Sequence, residues 1–112
     1  MIVNTTRQQT IASVVETASN PWASMKGLLG RNSLPKGHAL IITGCNSIHM
    51  MFMRFAIDVI FIDKHNTVVG LCQNIQPFAF SPIFLKSSCA IELPAGTIHA
   101  TQTALQDKIQ IG

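Results

Sequence analysis

The stretch that decides the fold is IDVIFID, Ile57–Asp63, which is followed by the turn residues Lys64-His65-Asn66 and by a second apolar run, Thr67–Gln73. In the first run both alternating faces are apolar apart from Asp58, a pattern that indicates a strand in the core. The three residues after it are typical of a tight hairpin turn, because Asn66 tolerates a positive φ. We therefore predict that the two runs form a buried β-hairpin.

Other apolar and β-branched runs predict further short strands. These are Met1–Thr6 as an edge strand, Ile11–Ala18, His38–Thr43, Met50–Phe55, Cys89–Leu93 and Lys108–Ile111. Asn20 and Pro21 are typical of a helix start, and the apolar spacing after them predicts a short amphipathic helix over residues 21–29. Together these elements predict an α+β fold, mainly antiparallel, with a small barrel-like sheet against which the helix packs.

Length and composition limit the class of protein. The chain has 112 residues, of which 47% are hydrophobic and 12% charged, so it is expected to fold as a single domain, residues 1–112. Its net charge is +3, but the cations are scattered singly along the chain. We therefore expect no nucleic-acid partner. The most apolar stretch, Ile48–Ile62, contains charged residues and is too short to span a membrane.

The cysteines bear on compartment and cofactors. Cys45, Cys72 and Cys89 are widely spaced, and no CxxC pair occurs. We expect three reduced thiols, no structural zinc finger and no bound cofactor. The first residues show no basic start followed by an apolar run, so we expect no signal peptide and a cytoplasmic location.

Two acids lie in apolar strands and need partners, because an unpaired buried carboxylate is costly. These are Asp58 and Glu92. One interpretation is structural, with ion pairs or backbone amides at the strand ends. The other is a polar pocket on the barrel rim that binds a small polar or anionic ligand. The candidate residues of that pocket are Arg31, His49, Arg54, Asp58 and Glu92.

A hydrolase-type enzyme built on His49 and Asp58 is an alternative, but no nucleophile motif accompanies these residues. A second alternative is a site for copper or zinc. Cys45, His49, Met51 and Met53 supply thiolate, imidazole and thioether ligands within nine residues. In an extended segment these four side chains would share one face.

Phe78 and Phe80 lie between Pro77 and Pro82 in a predicted loop. An exposed aromatic pair of this kind is a candidate docking point for a protein partner. The low charge and high apolar content are compatible with a monomer or a homodimer.

Several motifs resemble those of a known family. They are Gly27–Arg31, Cys45–Met50 (CNSIHM), Met53–Asp63 and Glu92–Gly96 (ELPAG), in this order. In these the chain resembles, over about residues 11–111, the bacterial and archaeal family catalogued as domain of unknown function 192, in its CNSIH-type branch. The resemblance implies a compact, mostly β domain without an assigned activity. It also implies a link to secretion or pilus systems, beside whose genes some members are encoded.

The chain departs from the family pattern at three places. Members often have Pro at Ala56, Gly at Asn66 and Gly-Asp at Gln106-Asp107. The turn before the last strand is therefore expected to differ in shape. Together these observations predict a small cytoplasmic binding or interaction module without catalytic activity, whose partner is an unknown protein or a small polar ligand.

Overall fold

Two β-sheets and one short helix make up the computed structural model, which describes residues 1–18, 32–50 and 53–112. The helix predicted over residues 21–29 lies outside the described residues, as do Arg31 and Met51. The elements are β1 (Ile2–Asn4), β2 (Gln9–Ala12), β3 (Val14–Ala18), β4 (His38–Thr43), β5 (Ile57–Ile62), β6 (Val68–Ile75), β7 (Cys89–Pro94), α1 (Thr97–Thr101) and β8 (Ile109–Ile111).

The predicted α+β class is confirmed. One sheet has the order β3-β4-β7-β5-β6 and the other has the order β2-β1-β8. The strand pairs are antiparallel except for β3 and β4, which run parallel. Among the described residues no helix has the length and apolar character that a membrane crossing requires.

The barrel-like arrangement is present only in part, because the described strands form two sheets that meet at two corners. At one corner the chain passes through Ser13 directly from β2 in one sheet to β3 in the other. At the other corner Thr67 and Lys108 form an isolated bridge, and the Ile109 amide donates to the Asn66 carbonyl at 2.9 Å. The strands therefore curve around an apolar interior without closing into one barrel.

β5 is the central strand, and all six of its residues are buried. Its pleat sends Val59 and Phe61 to one face, and Ile60 and Ile62 to the other. The first face is covered by residues of the connections, such as Ile48 and Met50. The second face packs against the three-stranded sheet and α1. This double cover explains why both faces of IDVIFID are apolar.

The predicted hairpin is confirmed, with Asn66 at φ 60° in its turn. The Asp63 carboxylate stabilises the turn, because its Oδ1 accepts the backbone N–H of His65 at 2.8 Å and that of Thr67 at 3.0 Å. A carboxylate two residues before an amide is well placed for such a bond. The turn therefore contains its own hydrogen-bond acceptor.

Three strand predictions need correction. Ile11–Ala18 was expected to be one strand, but the chain changes sheet at Ser13, so the segment is divided between β2 and β3. Met1–Thr6 was expected at an edge, but β1 is the middle strand between β2 and β8, because the end of the chain returns to pair with it. Met50–Phe55 was expected to be a strand. The described residues of this segment form no regular strand, and the residue before it, His49, forms an isolated bridge with Phe80.

Candidate functional site

Asp58 is fully buried, and its carboxylate is held by three backbone amides. Oδ1 accepts the Asn74 N–H at 2.8 Å. Oδ2 accepts the N–H of Gly96 at 3.1 Å and of Ile98 at 2.8 Å. Asp58 thus ties β5 to the end of β6 and to the start of α1. These contacts correspond to the structural interpretation of this acid, in which backbone amides satisfy the carboxylate.

Glu92 lies on the opposite face of the same sheet. In the pairing of β5 with β7, Glu92 stands opposite Val59, whereas Asp58 stands opposite Leu93. Because neighbouring residues of a strand point to opposite faces, the Glu92 side chain lies on the Val59 face and the Asp58 side chain on the other. The structure therefore does not bring the two acids of the candidate pocket together.

The other residues of the candidate pocket are spread differently. His49 and Arg54 are exposed, while Glu92 is 4% exposed. The His49 ring lies beside the Phe80 ring, with centroids 6.5 Å apart. His49 therefore lies at the surface, whereas the carboxylate of Asp58 is buried. A hydrolase built on these two residues would need their side chains close together.

The candidate metal ligands are also divided between core and surface. Cys45 and Met53 are buried in the core cluster that contains Val59, whereas His49 is exposed. Burial raises the pKa of the Cys45 thiol, and the negative charge of Glu92 raises it further. Its Sγ donates to the Ser47 carbonyl at 3.0 Å. Chain direction changes around residues 44–48, so the shared face assumed for an extended segment is not formed by these three residues.

Four large hydrophobic side chains are exposed on one loop, the Phe78–Leu85 loop. The exposed fractions are 57% for Phe78, 71% for Phe80, 65% for Ile83 and 87% for Leu85. The exposure predicted for the phenylalanines is confirmed. Ile83 and Leu85 were missed, although Ile83-Phe84-Leu85 has the period of two that places its outer residues on one side.

Backbone hydrogen bonds hold the Phe78–Leu85 loop in place. The amides of Phe78 and Ser81 donate to the carbonyls of Met50 and Ile48, at 2.7 and 2.8 Å. The Phe84 amide donates to the Asn46 carbonyl at 2.8 Å. The loop is thus fastened to residues 46–50, so the exposed side chains stand on an ordered base.

Phe84 anchors the same loop to the core. Its ring packs on that of Phe61, with a centroid separation of 4.6 Å. Gly70 permits this approach, because a Cβ at that position would lie 2.5 Å from the Phe84 ring. The loop therefore directs one ring inward while its neighbours Ile83 and Leu85 point outward.

Phe78 adds backbone strain to this arrangement. Its φ is 67°, in the left-handed region that bulky residues seldom adopt. Strain of this kind persists only where the surrounding contacts impose it, and it concentrates at functional sites. The Phe78 N–H donates a hydrogen bond to the Met50 carbonyl, and this bond holds the strained backbone with the ring at the surface.

A separate cleft of about 650 Å³ lies between β2, the residues before β4 and α1. Lys36 is the cation that lines it, and the hydroxyls of Thr97 and Thr101 lie along one wall. Both hydroxyls already donate to backbone carbonyls, of Pro94 at 2.7 Å and of Thr97 at 2.9 Å. The polar residues Gln9, Thr10 and Ser13 also line the cleft.

A third buried acid, Asp107, was not singled out from the sequence. Its Oδ2 accepts hydrogen bonds from Asn4 Nδ2 at 2.9 Å, from Arg7 Nε at 3.0 Å and from the Ala104 amide at 2.9 Å. Burial works to raise the pKa of Asp107, but these donors outweigh it and hold the pKa below its usual value. Because Arg7 lies 100 residues away in the chain, no local pattern could reveal the pair.

Comparison with known proteins places this geometry in context. The family model DUF192, described as uncharacterized ACR, matches residues 2–111. The UPF0127 protein of Thermococcus sibiricus is 30% identical over 113 residues, which cover 97% of this chain and 73% of that protein.

Two solved structures share the fold. A protein of unknown function from Novosphingobium aromaticivorans matches with a TM-score of 0.76 and 19% identity, over 87% of this chain and 74% of its own. A Sinorhizobium meliloti protein named as a candidate transcription regulator matches with a TM-score of 0.73 and 22% identity, over 86% of this chain and 79% of its own. At such identities the likeness concerns the fold alone.

Proposed function

This chain belongs to the DUF192 family, and from that premise we propose that it is a small, non-catalytic binding module that docks through the Phe78–Leu85 loop. The observation that carries the proposal is the exposure of four large hydrophobic side chains on one ordered loop. Single exposed hydrophobic residues are common on protein surfaces, but clusters of them mark interaction sites.

The arrangement of the loop supports docking in a second way. Its backbone is already fastened to residues 46–50, so little conformational entropy remains to be lost when a partner binds. Phe78 and Phe80 have few rotatable bonds, which keeps the cost of immobilising them small. A preorganised apolar surface of this kind suits recognition.

The rest of the proposal follows from the thiols and the acids. Cys45, Cys72 and Cys89 are free, which suits a reducing compartment, and we place the module in the cytoplasm. A role beside a secretion or pilus system would fit a docking module. The non-catalytic assignment is supported by Asp58, whose oxygens are taken by backbone amides.

Site-specific photo-crosslinking tests the docking role. A benzophenone amino acid replaces Phe80 in the chain produced in cells, and in a matched variant it replaces Leu105, which is 57% exposed but lies outside the loop. We expect adducts of defined mass at position 80 that are lost when Leu85→Ser is added. Equal adduct yields at positions 80 and 105 would contradict the proposal.

A further inference from the structure

Most acids of the protein are buried, whereas its described cations are exposed. The chain has five acids, and three of them, Asp58, Glu92 and Asp107, are buried. Glu16 is exposed and Asp63 is half-buried. By contrast, every Lys and Arg in the described ranges is exposed: Arg7, Lys36, Arg54, Lys64, Lys86 and Lys108. The formal charge of +3 thus corresponds to a surface on which cations greatly outnumber accessible acids.

The Phe78–Leu85 loop lies in a stretch of sequence without acids. The sequence has none between Asp63 and Glu92, and none between Glu16 and Asp58, a span that contains the residues to which the loop is fastened. Lys86 follows the loop directly and is exposed. Asp63, at the hairpin turn, lines a depression beside Lys86, and Glu92 is buried on the sheet face against which Phe84 of the loop packs.

Lys86 connects the apolar and basic parts of this surface. It lines one shallow depression together with Ile83 and Leu85. It also lines a second depression with Lys64 and His65, where Asp63 and Ser88 complete the rim. The exposed hydrophobic side chains are therefore continuous with a group of cationic ones.

From this juxtaposition we infer that the occupant of the Phe78–Leu85 loop is an anionic lipid surface. The inference rests on the proposed docking function and names its partner class. Apolar side chains enter the boundary between headgroups and acyl chains, while neighbouring lysines remain with the anionic headgroups. A loop of two phenylalanines, one isoleucine and one leucine beside Lys86 has this composition.

Four of the seven backbone N–H groups in the loop are bonded to described residues of the chain, so only part of the loop backbone would need other partners at a lipid boundary. The backbone N–H groups of Phe78, Ala79, Ser81 and Phe84 donate to carbonyls of the chain, and Pro82 has no N–H to satisfy. The exposed fraction of Leu85, 87%, further shows that this side chain projects from the surface. A projecting side chain is better placed to enter a bilayer than to line a groove for a peptide.

Vesicle co-sedimentation tests the inference on the full chain. One set of vesicles contains phosphatidylglycerol in phosphatidylcholine, and the other contains phosphatidylcholine alone. We expect binding to the anionic vesicles only, weakening as salt is raised. Leu85→Ser and Lys86→Glu should each reduce the partition coefficient by about tenfold. The matched controls are Leu105→Ser and Lys36→Glu, exposed residues outside this surface, and they should bind as the parent does.

Four results would overturn the inference. Equal binding to both vesicle types would remove the role of the lipid charge, and equal losses in the control variants would remove the role of the loop. Absence of vesicle binding, combined with crosslinks from position 80 to a protein or to a second copy, would overturn the lipid occupant and leave the docking function standing. If neither vesicle binding nor crosslinks were found, both proposals would fail.

Discussion

Replacing Asp58 by Asn is the sharpest test of how this fold is held together. The substitution keeps the size of the side chain but replaces one carboxylate oxygen by an NH₂ group, which can only donate. In either orientation this group meets a backbone N–H, that of Asn74 or those of Gly96 and Ile98. The better orientation keeps the carbonyl oxygen on Gly96 and Ile98 and loses the bond to Asn74.

The magnitude follows from counting these bonds. A hydrogen bond to a charged group contributes about 1.5–3 kcal/mol and a neutral one about 0.5–1.5 kcal/mol, so one charged bond is lost and two are weakened by about 1 kcal/mol each. Because the variant no longer buries a charge, part of this loss is offset. We expect the free energy of unfolding to fall by about 2–4 kcal/mol, a large share of the ~5–15 kcal/mol typical of a domain.

Urea unfolding followed by far-ultraviolet circular dichroism measures this change. With a slope of about 1 kcal/mol per molar urea, the midpoint should fall by about 2–4 M. Asp63→Asn is the matched control, because Asp63 also accepts two backbone amides but does so in an accessible turn. Both amides donate to Oδ1, so the carbonyl oxygen of Asn can keep both bonds while its NH₂ group is hydrated, and the shift should be clearly smaller. Equal shifts for the two variants, or a change of less than about 1 kcal/mol at Asp58, would refute the reasoning.

Two further predictions concern residues near the end of the chain. The pKa of Asp107 lies below its usual value of 3.8, so the stabilisation from its ion pair with Arg7 is complete above that value and is lost as the pH falls through the folded-state pKa. Arg7→Ala should therefore lower the stability at neutral pH and reduce the further loss of stability as the solution is acidified, which a pH series of thermal melts measures. If stability fell with pH as steeply in the variant as in the parent, this role of the ion pair would be refuted. Gln106 has a φ of 73°, where glycine is unstrained, so Gln106→Gly should raise stability by about 0.5–1 kcal/mol. Gln110→Gly, in β8, should lower it, and a loss in both variants would contradict the strain at Gln106.

The parts of the fold that could be predicted from sequence are those that local patterns encode. The hairpin around Asn66 was predictable because alternation and turn chemistry lie within one short segment. The exposure of Phe78 and Phe80 was predictable because prolines flank them. The strand over Met50–Phe55 was predicted wrongly, because an apolar run also serves a connection that covers the face of a sheet.

The candidate site was harder to predict, because it depends on strand pairing. Asp58 and Glu92 lie 34 positions apart in the chain, and only the register of β5 on β7 shows that they point to opposite faces. A shift of one residue in that register would have placed them on the same face. The same holds for Asp107, whose partner Arg7 comes from the other end of the chain. Local periodicity carries no information on such pairings.

The position of β1 between β2 and β8 sets an order of events for folding. β1 is synthesised long before β8, yet the two strands are neighbours in the sheet, and the Gly112 amide donates to the Met1 carbonyl at 3.0 Å. On a ribosome, the three-stranded sheet therefore stays incomplete until β8 has emerged, with one edge of β1 unpaired. Pairing between segments so distant in the sequence is slow. We therefore expect the three-stranded sheet to form late in folding, when β8 pairs with β1 and the side chains of Ile2 and Ile109 complete the apolar interior.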